Sequence, residues 1–230
     1  MEASTHIVIF SHGFGVYADD RGLFPDIISH LSSIKPIMVD YNRSEKASHT
    51  LFASTLEEQV YKLRNIYEEV RIKNSTSTID LVCHSQGCVV AAMARLEGVR
   101  KTIFLAPPDD KFGRNIDEKI QDMLVRKMRP GTKILSDGSI SYPRRDGSTT
   151  VIPMSYYDSR RGILPVSFYN ALAGRTELLI VKATKDEVIG DADFTGLEPS
   201  VEVVRVDASH DFEGESRVYV SEKIKKQIGC

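Results

Sequence analysis

Ile79-Asp80-Leu81-Val82-Cys83-His84-Ser85-Gln86-Gly87-Cys88-Val89-Val90-Ala91-Ala92-Met93-Ala94 is the stretch that decides how this chain folds. The apolar run at 79–82 suits a buried strand, the run at 88–94 suits a helix, and Ser85 stands at the apex between them. A strand that turns sharply into a helix lifts its apex side chain clear of the sheet, with the helix N-terminus beneath it. Backbone N–H groups at that end lack intrahelical partners, and the partial positive charge of the helix favours an anion there. Gly87 and the small residues after it let the helix pack close behind the strand.

Outward from this stretch, His6-Ile7-Val8-Ile9-Phe10 predicts a buried strand, closed by the turn signal Ser11-His12-Gly13-Phe14-Gly15. Leu23, Ile27, Ile28 and Leu31 keep helical spacing, so a helix is expected over 22–31, with Pro25 near the first turn where it is tolerated. Ile37-Met38-Val39 predicts a second strand. Leu56, Val60, Leu63, Ile66, Tyr67 and Val70 mark an amphipathic helix, opened by a Thr55/Glu58 capping box and closed near Asn74-Ser75. Further strands are expected at 101–105, 178–181 and 201–206. A closing helix is expected at 215–228, where Val220, Ile224 and Ile228 recur at four-residue spacing. Strands alternating with helices predict an α/β fold of about six mainly parallel strands flanked by helices. Ligands of such sheets bind beyond the carboxyl ends of the strands.

Residues 107–174 break the alternation. A helix is expected over 115–127, stopped by Pro130-Gly131, and then two strands near 133–135 and 149–152. Ser136-Asp137-Gly138-Ser139 and Arg145-Asp146-Gly147-Ser148 read as hairpin turns. So long a connection is functional or disordered. Its Ile, Leu, Tyr and Phe content predicts an ordered lid over the strand ends.

With 230 residues and 41% hydrophobic content the chain can fill the core of one domain. The 30 Lys and Arg balance 32 Asp and Glu, which excludes the basic stripe of a nucleic-acid binder. Cys83, Cys88 and Cys230 have no disulfide-framework spacing. No apolar run approaches the ~20 residues of a membrane span. No secretory signal precedes the first strand, so a cytoplasmic location is expected.

Cys83-His84-Ser85-Gln86-Gly87 resembles the Gly-x-Ser-x-Gly nucleophile elbow of the α/β-hydrolases, with Cys83 in place of the first glycine. The resemblance runs from about residue 5 to 228, lid excepted. It implies a compact α/β-hydrolase domain over 1–230 with a lid insertion at about 107–174, lacking the family's first two antiparallel strands. A serine hydroxyl needs a base to take its proton, and the base needs a carboxylate to hold its tautomer. In the family the chain order is serine, acid, histidine. His210 follows the last expected strand, in Val206-Asp207-Ala208-Ser209-His210-Asp211-Phe212, and is the expected general base. His30 and His49 read as surface or capping residues, and His6 opens a strand. The His84 side chain is expected to point away from the reaction centre. The resemblance implies Asp186, in the loop after the fifth strand, as the acid. Asp191 and Asp193 stand as fallbacks, and Glu187 behind them. The Gln86 backbone N–H, directly after the serine, is one expected oxyanion donor. His12-Gly13-Phe14 resembles the family's oxyanion motif and implies the Phe14 N–H as the other.

The lid and the two loops His12-Gly13-Phe14 and His210-Asp211-Phe212 are loosely similar to small bacterial esterases, including the cinnamoyl type, whose lid is a short β insertion. Tyr142, Met154, Tyr156, Tyr157, Phe168 and Tyr169 either line an acyl or aryl pocket or pack the lid onto the sheet. The expected activity is carboxylic-ester hydrolysis through an acyl-enzyme, with a small-molecule ester or related acyl compound as partner and no cofactor. The same machinery would serve a thioesterase, an amidase or a peptidase. Two readings come from other classes. One is a hydrolase-fold binding protein without catalysis. The other is a metal site at Cys83, His84 and Cys88, whose side chains the strand-to-helix turn would aim apart.

Overall fold

In the computed structural model, which describes residues 6–125, 130–144 and 147–230, the apolar runs become central strands. The strands are β1 (His6–Ser11), β2 (Ile34–Val39), β3 (Arg43–Glu45), β4 (Thr50–Phe52), β5 (Thr78–His84), β6 (Lys101–Leu105), β7 (Lys133–Ile134), β8 (Ile140–Pro143), β9 (Thr149–Ile152), β10 (Glu177–Ala183) and β11 (Glu202–Val206). The helices are α1 (Leu23–His30), α2 (Leu56–Lys73), α3 (Gln86–Ala94), α4 (Ile116–Val125), α5 (Met154–Arg160), α6 (Pro165–Ala173) and α7 (Glu215–Ile228).

The main sheet has six strands in the order β11-β10-β6-β5-β1-β2. Every pairing in it is parallel. Alternate residues of each central strand feed opposite cores. Ile7 and Ile9 of β1, Leu81 and Cys83 of β5, and Leu178 and Ile180 of β10 pack with α2, α3 and α6. Val8, Phe10, Val82, Leu179 and Val181 pack with Leu23, Phe24 and Ile27 of α1 and Val220, Ile224 and Ile228 of α7. Burial on both faces explains why these strands read as continuous apolar runs. Each fully buried Val, Ile, Leu or Phe contributes ~1.5–3 kcal/mol. β2 begins earlier than its apolar run suggested and carries Pro36. Its position at the sheet edge accommodates a residue without an N–H. The α2 capping box is present in both directions, with Thr55 Oγ1 accepting from the Glu58 N–H at 3.3 Å and Glu58 Oε2 accepting from the Thr55 N–H at 2.8 Å.

The second sheet has five strands in the order β3-β4-β9-β8-β7, with β4 and β9 parallel and the other pairs antiparallel. It differs from the expected 107–174 insertion at both ends. Residues 43–52, which carry no apolar alternation, supply two of its strands, a β3–β4 hairpin whose β4 pairs across the chain with β9. At the other end α6 belongs to the main layers, because Tyr169 and Leu172 are buried against the main sheet, and the Tyr169 ring meets Phe104 edge-on at 5.1 Å. The expected helix over 115–127 is observed to Val125, and its last two residues lie outside the described ones, as do Arg145 and Asp146 of the second expected turn. Ile116, Ile120, Ile140, Ile152, Tyr156 and Tyr157 form the small core of this region, and Phe14 packs against it. Among the described residues no helix is long and apolar enough to cross a membrane.

Candidate active site

β5 runs through the middle of the main sheet, and Ser85 follows its last residue as the N-cap of α3. Ser85 has φ 52° and ψ −126°, a conformation that costs a non-glycine residue on the order of 1–3 kcal/mol. The fold holds it there with a bond from the Ser85 N–H to the Leu105 carbonyl at 2.9 Å and one from the Cys88 N–H to the Ser85 carbonyl at 3.0 Å. Gly87 is required by the same geometry. A Cβ at 87 would lie 2.2 Å from the Ser11 carbonyl oxygen and 2.6 Å from that of His12. Cys83, where the family pattern has glycine, sits wholly in the apolar core, and burial pushes its thiol well up. Cys88 lies in the same core, whereas His84 enters a polar network on the other side. The Cys83 and Cys88 side chains and that of His84 are therefore aimed apart.

Three residues from separate loops meet at the carboxyl edge of the sheet. His210 Nε2 lies 3.0 Å from Ser85 Oγ, and His210 Nδ1 lies 2.8 Å from Asp186 Oδ2. The other Asp186 oxygen accepts from the backbone N–H groups of Val188 at 2.9 Å and Ile189 at 2.8 Å. Burial works to raise the Asp186 carboxyl, but its bond to His210, the charge of that ring and the two backbone donors outweigh it and hold the group below its ordinary value. An ionised Asp186 accepts the Nδ1–H of His210 and so turns Nε2 toward the serine hydroxyl. The other acids have different work. Glu187 accepts from the His210 backbone N–H at 3.1 Å, Asp191 pairs with Lys182, and Asp193 binds the Thr195 N–H at 2.9 Å.

The loop after β1 lies against Ser85, since a Cβ on Gly13 would sit 3.1 Å from the Ser85 Cβ. His12 orients this loop. Its Nε2 accepts the Tyr41 N–H at 3.0 Å, so Nδ1–H donates to the Gly13 carbonyl at 2.7 Å. Burial lowers the His12 pKa, consistent with this neutral tautomer. A trans peptide points its carbonyl and N–H in opposite directions, so tying back the Gly13 carbonyl turns the Phe14 N–H the other way. Among the described residues no acceptor occupies the Phe14 N–H or the Gln86 N–H.

His84 corrects the sequence reading. It does not point away from the site, because its ring centroid lies 4.8 Å from that of His210. Nδ1 meets Asp20 Oδ2 at 2.7 Å and Nε2 meets the His210 carbonyl oxygen at 3.0 Å. Nothing in the sequence singled out Asp20. Of the two roles open to Tyr156, lining a pocket and packing the lid, the structure shows packing. It does not line an open pocket: buried, it stacks on Phe14 at 4.6 Å and its hydroxyl donates to Gln86 Oε1 at 2.5 Å. It therefore touches the side chains of both residues whose N–H groups are free.

No family model and no curated protein matches the chain. Solved structures do match. Est1E from Butyrivibrio proteoclasticus, with ferulic acid bound, is 16% identical, with a TM-score of 0.66 over 99% of this chain and 91% of that one. This is the α/β-hydrolase fold. A hydrolase from Oleispira antarctica is 13% identical, with a TM-score of 0.66 over 99% of this chain and 92% of its own. The Pyrococcus furiosus esterase Pf2001 is 16% identical, with a TM-score of 0.64 over 99% of this chain and 80% of that chain. In this α/β-hydrolase fold the first described strand is already an inner, parallel one, and among the described residues the main sheet has no antiparallel edge. Ser85, Asp186, His210 and the Phe14 loop all lie just past the carboxyl ends of its strands, where ligands of such sheets bind.

Proposed function

We propose that this protein is a serine hydrolase that cleaves carboxylic esters through an acyl-enzyme. The observation that carries the proposal is the hydrogen-bonded chain from Ser85 Oγ through His210 to Asp186, at 3.0 Å and 2.8 Å. Ser85 Oγ attacks the acyl carbon while His210 Nε2 takes its proton, and ionised Asp186 stabilises the imidazolium. The negative oxygen of the tetrahedral intermediate accepts from the Phe14 and Gln86 N–H groups, each such donor being worth on the order of 10²–10³ in rate. His210 then returns the proton to the leaving alkoxide. A water molecule deprotonated by the same nitrogen attacks the acyl-enzyme and frees the acid. The second sheet with α4 and α5 is the lid of this site, held on the Phe14 loop through Tyr156.

The test is labelling with a fluorophosphonate together with turnover of p-nitrophenyl esters. Wild type should label and turn over, Ser85→Ala should do neither, and His210→Ala should label slowly. Labelling that survives in Ser85→Ala, or folded wild type that neither labels nor hydrolyses any acyl substrate, overturns the proposal. Est1E holds ferulic acid in its solved structure, which places aryl-acyl esters first in the substrate panel.

A further inference from the structure

The site contains a second buried acid–histidine pair that the reaction above does not use. Asp20 and His84 are each almost wholly buried, and Asp20 lies in the loop after β1 whereas His84 closes β5. Their contacts reach three different parts of the site. Asp20 Oδ2 accepts both the His84 Nδ1–H at 2.7 Å and the Gly13 N–H at 3.2 Å. His84 Nε2–H donates to the backbone carbonyl of His210 at 3.0 Å. With Asp20 ionised, both ring nitrogens of His84 face acceptors, so the ring is the doubly protonated imidazolium and the carboxylate is its counter-charge.

Other charged groups near the pair leave that assignment in place. Burial works against charge on either member, but the charge and hydrogen bond of the partner prevail, holding Asp20 at about 2 and raising His84. From the loop after β11, Asp211 adds to the positive preference of His84 and is itself paired with Arg21. From the end of β1, neutral His12 spends its Nδ1–H on Gly13. His210 accepts from the pair through its carbonyl, and its ring, 4.8 Å from that of His84, is hydrogen-bonded to Ser85 and Asp186.

We propose that the Asp20–His84 ion pair positions the site, tying the oxyanion loop, the nucleophile's strand and the base's backbone into one rigid unit. It rests on the serine-hydrolase reading and names two positioning residues for it. Neither touches substrate: Asp20 acts through Gly13 and His84 acts through His210. Asparagine at position 20 cannot keep all three bonds with a neutral imidazole. With an amide at position 20 and a neutral imidazole at 84, either the Gly13 N–H faces an NH2 group or the His84 Nε2 lone pair faces the His210 carbonyl.

Asp20→Asn and His84→Asn, singly and together, test this with ester kinetics on folded protein. His84→Asn keeps a donor for Asp20 and removes the one for His210. The expected result is a kcat lower by about 10–100-fold in each single variant with KM changed less than about threefold, the scale of effect expected from a misplaced reacting group. The double variant should be no worse than the poorer single one, because the two residues act as a unit. The kcat–pH profile of Asp20→Asn should gain an ionisation that wild type lacks, since His84 without its carboxylate titrates. Wild-type kcat in either folded single variant, losses that multiply in the double one, or an unaltered pH profile would overturn the inference. If the variants do not fold, proton–nitrogen NMR of wild-type His84 decides instead. Two ring N–H signals persisting above pH 7 support it, and a neutral ring at pH 7 sinks it. Ser85→Ala separates the two proposals. Activity surviving there removes the serine-hydrolase reading, whereas its loss beside wild-type kcat in Asp20→Asn removes only this one.

Discussion

Gly87→Ala is the most direct test of how the elbow is built. The new methyl would lie 2.2 Å from the Ser11 carbonyl oxygen, 2.6 Å from that of His12 and 2.7 Å from the Ser11 carbonyl carbon. Carbon–oxygen contacts settle near about 3.3 Å, so a gap of about 1 Å must open. Flexible side chains could yield cheaply, but here the obstacle is backbone. Ser11 is paired in the sheet with Val39 on one side and Cys83 on the other, and its hydroxyl also binds the Gly87 carbonyl at 3.0 Å. Either β1 leaves its register or α3 lifts off the sheet. Overpacking of this kind costs ~2–3 kcal/mol, which in a chain of this size lowers Tm by about 5–10 °C. Both responses also move Gln86 relative to Phe14, and a displacement of ~1 Å between reacting groups costs on the order of 10²-fold in rate. Thermal melts and the rate of fluorophosphonate labelling measure the two effects separately. A variant with the Tm and labelling rate of wild type would show that β1 and the elbow are not in the contact described, and the placement of both proposed oxyanion donors would fall with it.

Asp186→Asn should fold normally but lose about 10⁴-fold in kcat, the loss known for an amide that holds the wrong histidine tautomer; steady-state kinetics showing less than a tenfold loss would remove Asp186 from the mechanism. Tyr156→Phe, which keeps the stack on Phe14 and deletes the bond to Gln86, should lower kcat about three- to tenfold, roughly the ~1 kcal/mol net value of a hydrogen bond, with a larger loss in Tyr156→Leu. Equal kinetics in all three proteins would show that the second sheet does not support the oxyanion donors. For the Asp20–His84 pair, His84 is raised above its ordinary 6.5, so the stability it contributes is full below that pH and declines as pH rises through the raised value. Asp20, lowered from 3.8 to about 2, contributes stability that is full above 3.8 and is lost as pH falls toward 2. Melting curves of wild type and Asp20→Asn should therefore differ most near pH 5 and converge at both extremes; a constant difference would refute the ion pair. Thr55→Ala removes the acceptor for the Glu58 N–H and should cost ~1 kcal/mol in denaturant unfolding without altering kcat.

Residue order along the chain was enough for the main sheet and the elbow; Asp186 as the acid came from the family resemblance, with Asp191, Asp193 and Glu187 left open beside it. Buried parallel strands must be apolar on both faces, a sharp strand-to-helix turn needs small residues at fixed offsets, and connections of this kind bring successive loops to the same edge. Those constraints are local, so 79–94 and the runs at 6–10, 101–105 and 178–181 expose them directly. Contacts between distant segments left no such trace. The three-residue strands at 43–45 and 50–52 have no pattern of their own: they pair with each other, and the second is held in the sheet by β9. Asp20 and His84 are 64 residues apart, and Tyr156 and Gln86 are 70 apart. An acid in a polar turn looks solvated until the chain folds over it. A histidine beside the serine is free to point outward until the His210 loop presents it with a carbonyl. The periodicity of apolar residues therefore determined the scaffold and the edge where chemistry can occur. Only the tertiary structure decided which polar side chains are buried together at that edge, because burial of a polar group depends on partners that periodicity does not encode.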